Sequence, residues 1–406
     1  MTALAVSKTS SAQNIHPNLD PRALASALAN SHFIGGQKVS SISGKTFDLL
    51  SPATREKVAT AAFGEAADVD RAVKNAAEAQ KEWAKLAPRE RGRLVSECGR
   101  LLAEHAEELA RLVCLETGKA LRTECRPESK VVSDIFEFFG GLGSEIKGQT
   151  VPHRNEQLIF TLRQPVGVVG AIIPWNVPMM LLALKVCPAL VAGNSVVVKS
   201  AEEAPLAVLR IAELCAQILP PGVFNMLSGM GPECGAPLAQ HPLVNKLTFT
   251  GSVETGKIVY KYAAEKMIGV TMELGGKSPM IVMDDCDLDR AVDGAVTGMR
   301  FTRCGQSCTA ASRIFVQAKI YDAFTEKLRA RVDALKMGDP FEESTDIGTI
   351  ISPGQFEKVK SYIEAGEKTP GGKAIRCSKL PEDAKLKNGL YVQPVLFTGL
   401  DNNSKL

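Results

Sequence analysis

After Pro165 the chain settles into a rhythm that few architectures accept. Short β-branched runs, VGVVGAII (166–173), SVVVK (195–199), GVFNML (222–227) and KLTFT (246–250), alternate with helix-length segments at 179–192, 204–218 and 232–240. Strands that read as continuous apolar runs, rather than as apolar–polar alternations, are buried on both faces. With a helix between each pair they describe parallel strands joined by crossovers, which is a doubly wound α/β sheet. A second α/β unit begins near Gly275, where TMEL (271–274) leads through GGKSP to PMIVM (279–283) and later RIFV (313–316).

The half before Pro165 is largely helical. Asp68 opens DVDRAVKNAAEAQKEWAK, which sets Val69, Val73, Ala76, Ala77 and Trp83 roughly on one face. RERGRLVSECGRLLAEHAEELARLVCLETGK carries Leu94, Val95, Cys98, Leu101, Leu102, Leu109, Leu112 and Val113 at helical spacing and stops near Gly118. Between the halves, GQTVPHRNEQLIFTLR (148–163) has mixed polarity and is expected as a hairpin leaving the body of the domain. A chain of 406 residues exceeds what one core supports, so more than one domain is expected.

Composition excludes several function classes. A net charge of +3, spread along the chain, offers no basic field for nucleic acid or anionic lipid. Gln164–Leu184 carries no charge and is long enough to span a bilayer. Pro165, Pro174 and Pro178, with Gly167 and Gly170, break it into buried strand, loop and buried helix, so no membrane span is expected. The first forty residues lack the charged-then-apolar order of a signal peptide, and residues 1–30 are expected as a flexible tail of a cytoplasmic protein. The ten cysteines are scattered, with no C-x-x-C, which suits a reducing compartment and mostly structural thiols.

One cysteine pair stands out. In RCGQSCTA (303–310), Cys304 and Cys308 lie four positions apart beside a Gly-Gln pair. They could be half a metal site, a disulfide, core filler, or a nucleophile beside a bystander. No second pair of soft ligands lies nearby in sequence, so no metal is expected. Were 303–308 helical, the two sulfurs would share a face and an oxidative bridge would be expected.

Parallel sheets bind ligands at the carboxyl ends of their strands, where helix N-termini present unpaired N–H groups. Three such ends carry unusual residues. Strand 166–173 runs into Pro174-Trp175-Asn176, strand 195–199 ends in Lys199 followed by Glu202, and strand 246–250 ends in Thr250-Gly251-Ser252 before a helix starting near Val253 that contains Gly256. Lys199 and Glu202 suit the hydroxyls of a ribose, and the GSVETG turn suits a phosphate. No G-x-G-x-x-G is present, and each feature alone reads as well as a routine turn beside exposed charges.

Taken in order and spacing, PWNVP (174–178), VVVKSAEE (196–203), FTGSVETG (249–256), MELGGKSP (272–279) and GQSCTA (305–310) resemble the NAD(P)-dependent aldehyde dehydrogenase superfamily, from about residue 31 to the last. The resemblance implies a Rossmann-like cofactor domain (31–147 and 164–274), an oligomerisation hairpin (148–163) and a catalytic domain (275–406). It implies that Cys308, in the cysteine position of G-Q-x-C, attacks an aldehyde carbonyl as thiolate, with Cys304 a bystander. Asn176 and the Cys308 N–H would hold the oxyanion, Glu273 would activate the hydrolytic water, and Lys185 would assist proton movement. It assigns the cofactor to Ile172, Pro174, Trp175, Lys199, Glu202, Gly229, Gly251, Ser252, Gly256 and Leu274. Lys199 and Glu202 would take the adenosine ribose, Gly229 would lie near the adenine, and Ser252 would touch the pyrophosphate. Glu202 favours NAD, with NADP admitted by Lys199.

The pattern departs from the family in two places. Val177 stands where many relatives carry Phe, and the chain stops at DNNSKL, before a Glu-containing segment expected to hold the nicotinamide ribose. The catalytic domain is therefore expected to be incomplete. A homodimer or homotetramer is implied for the full-length parent, and the 406-residue chain alone is expected to be poorly soluble or inactive. Rival readings are a CoA-acylating dehydrogenase, which Glu273 disfavours, and an inactive truncated paralogue serving as a binding subunit.

Overall fold

The computed structural model describes residues 20–406. The tail expected over residues 1–30 divides accordingly. Residues 1–19 lie outside the described residues, whereas Pro21–Leu28 is a helix capped by Asp20, whose side chain accepts from the Arg22 N–H at 2.9 Å. Leu24, Ala25 and Leu28 are buried along one side of it, so apolar burial orders a segment that composition alone reads as tail.

The chain forms two compact units. The first comprises residues up to Asp48, Ala59–Leu112 and Glu128–Glu273; the second comprises Leu49–Val58, Val113–Pro127 and Leu274–Leu406. The second therefore includes two segments, 49–58 and 113–127, that the sequence expectation placed within the cofactor domain. Long-range backbone pairing claims them: Leu390 N–H donates to the Pro52 carbonyl at 2.9 Å, Thr349 N–H to Gly118 at 3.0 Å, and Leu121 N–H to Pro340 at 2.8 Å. Nothing in the local pattern of those segments announces such partners.

The first unit is built on a seven-stranded sheet in the order Gly269–Leu274, Val244–Gly251, Val168–Ile172, Ser195–Lys199, Phe224–Leu227, His32–Ile34, Gln37–Val39. Val244–Gly251, Val168–Ile172, Ser195–Lys199 and Phe224–Leu227 run parallel; the short His32–Ile34 strand follows antiparallel, with Phe33 opposite Met226, and Gln37–Val39 pairs antiparallel outside it. Every residue of Ser195–Lys199 is buried, as expected of a strand covered on both faces. Helix Ala66–Trp83 buries Val69, Ala72, Val73 and Ala76 against the sheet, and its Trp83 indole donates to the Leu190 carbonyl at 2.9 Å. The long helical stretch that follows is two helices, Pro88–Glu104 and Ala106–Thr117, interrupted at His105.

The uncharged stretch from Gln164 divides as its prolines require, into strand Val168–Ile172, a loop, and helix Pro178–Val191. Among the described residues no helix is long and apolar enough to cross a membrane. Residues 148–163 contain an antiparallel pair, Thr150–Val151 with Ile159–Phe160. In the second unit, strands Pro279–Val282 and Arg313–Val316 pair parallel. Its core gathers Val292, Ala295, Phe324, Leu328, Val332 and Ile347.

Candidate active site

Register decides which loops meet on the first unit. Ile172 lies opposite both Lys199 and Phe249, and Lys199 lies opposite Leu227. Parallel strands ending level deliver their following loops to one edge, so Pro174-Trp175-Asn176, Ser200–Glu203, Ser228-Gly229 and Gly251-Ser252 all leave the sheet on the same side. Lys199 is buried, and its ammonium meets the Glu202 carboxylate at 3.1 Å. Beside it, Glu203 is pushed up to about 7, first by burial and then by the negative charge of Glu202. Gly229 holds a backbone φ of 150°, and a Cβ there would come within 2.9 Å of both the Gly64 carbonyl and Cys234 Cβ. Only glycine fits that turn.

Ser252 serves a structural purpose in its own right. It is the N-cap of helix Val253–Glu265, its hydroxyl accepting from Thr255 N–H at 3.2 Å, and Gly256 is buried inside the helix. The N-terminus of this helix thus lies at the strand ends, where a helix dipole favours an anion.

Asn176 is half-buried in the loop before helix Pro178–Val191, and its side-chain oxygen accepts from the Val177 N–H at 3.0 Å. Two turns into that helix, Lys185 is buried and donates to the Thr248 hydroxyl at 3.0 Å. Burial draws the Lys185 ammonium down to about 8, against the opposing pull of the Glu273 carboxylate. Glu273 sits one residue from the end of strand Gly269–Leu274, exposed, with Leu274 exposed beside it.

Cys308 lies in the second unit, half-buried in a turn that follows the short helical turn Phe301–Arg303. Beyond Arg303, residues 304–308 are not helical. Cys304 adopts the left-handed conformation (φ 55°), Gly305 follows at φ 66°, and the chain reverses before Cys308. The premise for an oxidative Cys304–Cys308 bridge is therefore removed. The Cys304 thiol instead contacts the Gly348 carbonyl at 3.6 Å, and burial pushes it up to about 12, which keeps it protonated and inert. The loop is fastened from two directions. Gln306 is buried, donates to the Thr349 carbonyl at 3.2 Å and accepts from Ile351 N–H at 3.1 Å. Glu124, also buried, takes the Arg303 guanidinium at 2.6 Å and the Thr302 hydroxyl. Among the described residues, no group of three or more His, Cys, Asp or Glu side chains is disposed to hold a metal ion.

The sequence profile of the aldehyde dehydrogenase family matches residues 39–406. The chain belongs to the aldehyde dehydrogenase family. Solved members of that fold superpose closely. The NAD+ complex of aldehyde dehydrogenase from Bacillus cereus gives a TM-score of 0.91 at 36% identity, covering 96% of this chain and 79% of that one. HpcC from Thermus thermophilus gives 0.90 at 39% identity over 95% and 75% of the two chains. Betaine aldehyde dehydrogenase from Staphylococcus aureus, in complex with NAD+, gives 0.89 at 34% identity over 95% and 77%.

Within this aldehyde dehydrogenase chain, the expected cofactor residues from Ile172 to Gly256 collect at one sheet edge, and Asn176, Lys185 and Glu273 belong to the same unit, whereas Leu274 is the first residue of the other. Cys308 belongs to the other unit. Three residues around these motifs carry no expectation from sequence: Glu124 and Glu128, in TECRPES, and Glu203. Each stands among other polar and charged residues in sequence, so nothing local sets it apart; burial does, complete for Glu124 and Glu128 and partial for Glu203.

Proposed function

We propose that the chain oxidises an aldehyde to a carboxylic acid with NAD as the hydride acceptor, through a thioester on Cys308. The Cys308 sulfur would attack the carbonyl carbon as thiolate, and the carbonyl π pair would move to oxygen. Asn176 Nδ2 and the Cys308 N–H, which donates to no acceptor among the described residues, suit the oxyanion so formed. NAD, when bound, supplies the two-electron acceptor for hydride leaving that carbon. Water deprotonated by Glu273 would then add to the thioester carbonyl, and departure of the Cys308 thiolate would release the acid. Lys185, drawn down toward neutrality and electrostatically coupled to Glu273, is suited to relay the proton.

The residues at the sheet edge fit the dinucleotide. The observation that carries the reading is the convergence of a buried Lys199, held by Glu202, with the Gly229 turn and the capped N-terminus after Ser252 on one edge of a parallel sheet. Glu202 can accept from a ribose 2′-hydroxyl and would repel a 2′-phosphate, which favours NAD over NADP. Exposed Leu158, Phe160 and Leu162 support the 148–163 hairpin as an association surface.

The test is aldehyde-dependent NADH formation by the protein and by Cys308→Ala. Turnover in the first, in place of the inactivity expected from the sequence pattern alone, and a loss of at least about 10³-fold in the second are the expected results, since removing a covalent nucleophile leaves only binding and oxyanion terms. Turnover surviving the substitution would sink the mechanism, and NADH formation that requires CoA would replace hydrolysis with acyl transfer.

A further inference from the structure

Helix Pro178–Val191 begins without a capping side chain of its own. Its N-cap is Val177, whose side chain has no oxygen to offer, and Pro178 follows at the first helical position. A helix start leaves backbone N–H groups without intrahelical partners, and a buried start needs acceptors from elsewhere. Here the acceptor comes from fifty residues upstream. The Glu128 carboxylate is buried, and one of its oxygens accepts from Met179 N–H at 2.9 Å and from Met180 N–H at 3.3 Å. A carboxylate at this end also lies at the positive pole of the helix.

What hangs from that helix start is Asn176. Its side-chain oxygen is bound to the Val177 N–H, one residue before the helix. The amide plane is therefore fixed relative to the first turn, and the first turn is fixed by Glu128. An oxyanion donor works by being already in place when charge develops, and displacement by a fraction of an ångström forfeits most of its effect.

We infer that Glu128 is a positioning residue for the oxyanion donor: its carboxylate anchors the first turn of the helix that carries Asn176 into place. This rests on the reading of Asn176 given above. The carboxylate touches no reacting atom and acts through the backbone.

The experiment compares Glu128→Gln, Glu128→Ala, Asn176→Ala and the Glu128→Ala/Asn176→Ala double variant, by steady-state kinetics and by amide hydrogen exchange of peptides spanning 174–184. Asn176→Ala is expected to lower kcat by about 10²-fold. Glu128→Ala is expected to lower kcat at least about tenfold, with KM for NAD within about twofold of the parent, and to speed exchange at Met179 and Met180. Glu128→Gln keeps one acceptor oxygen and should recover to within about threefold. In the Asn176→Ala background, removal of Glu128 should cost less than about threefold, because two residues acting through one group are not additive. Should Glu128→Ala fail to fold, Glu128→Asp, one methylene short of the helix, carries the same comparison.

Full turnover in Glu128→Ala, or losses that multiply in the double variant, would overturn the inference alone. Full turnover in Asn176→Ala would overturn the oxyanion reading and the inference with it.

Discussion

At the residue scale, burial does more than charge to set the chemistry of the candidate groups. Lys185 shows the tension. An ammonium whose folded value falls from 10.5 to about 8 is a group the fold would rather hold neutral. The unfolded chain keeps the proton more tightly, so the cost is fully present below pH 8 and disappears as pH rises from about 8 to 10.5. Lys185→Met should therefore stabilise the protein at pH 7, by about 1–3 kcal/mol once loss of the Thr248 hydrogen bond is set against it, while lowering turnover. Denaturant melts at pH 7 and pH 10 check the sign: the gain should shrink at the higher pH. Cys304 and Cys308 make the same point from the other side: both are half-buried, yet four residues of separation put one thiol against the Gly348 carbonyl beside the second unit's core and left the other in a turn.

At the element scale, the helix N-termini at the sheet edge are each capped differently, and the difference separates structure from binding. Ser252 caps Val253–Glu265 with its own hydroxyl. Ser252→Ala should cost about 1 kcal/mol of stability and Ser252→Gly only a few tenths, because glycine is tolerated at N-caps. If the hydroxyl also touches the pyrophosphate, both variants should raise KM for NAD equally; a KM effect that tracks stability instead would confine Ser252 to capping. The Gly229 turn is stricter. Gly229→Ala would force a methyl to 2.9 Å from two neighbours at a φ of 150°, and should destabilise by about 2–4 kcal/mol, read as a lowered melting temperature. The strands and the helices after Pro165 were legible from pattern because burial on both faces leaves a continuous apolar signature. The break at His105 was not, because both sides of it keep helical spacing.

At the scale of the whole molecule, acid sensitivity should be governed by a group outside the candidate site. His32 is fully buried, and its Nδ1 accepts from the Ser228 N–H at 3.3 Å, which places the proton on Nε2 at 4.0 Å from the Asp68 carboxylate. Burial lowers it to about 4; Asp68 pulls upward and Arg71 downward. A histidine depressed below its unfolded value of 6.5 contributes stability that is complete above pH 6.5 and is lost as pH falls toward 4. The loss should reach about 3 kcal/mol, seen as a falling denaturation midpoint. His32→Gln should flatten that pH dependence, and a variant with the parent's slope would assign acid lability elsewhere.

The sequence by itself determined the alternation of parallel strands and helices, the loops at their carboxyl ends, and the five motifs that mark the aldehyde dehydrogenase family. All of these are local or strictly ordered along the chain, so spacing carries them. Only the tertiary structure decided that 49–58 and 113–127 pack with the second unit, that residues 303–308 turn instead of coiling, and that Glu124 and Glu128 are buried anchors. Each depends on contacts between residues tens or hundreds of positions apart, and a carboxylate looks the same in sequence whether water or a helix start receives it.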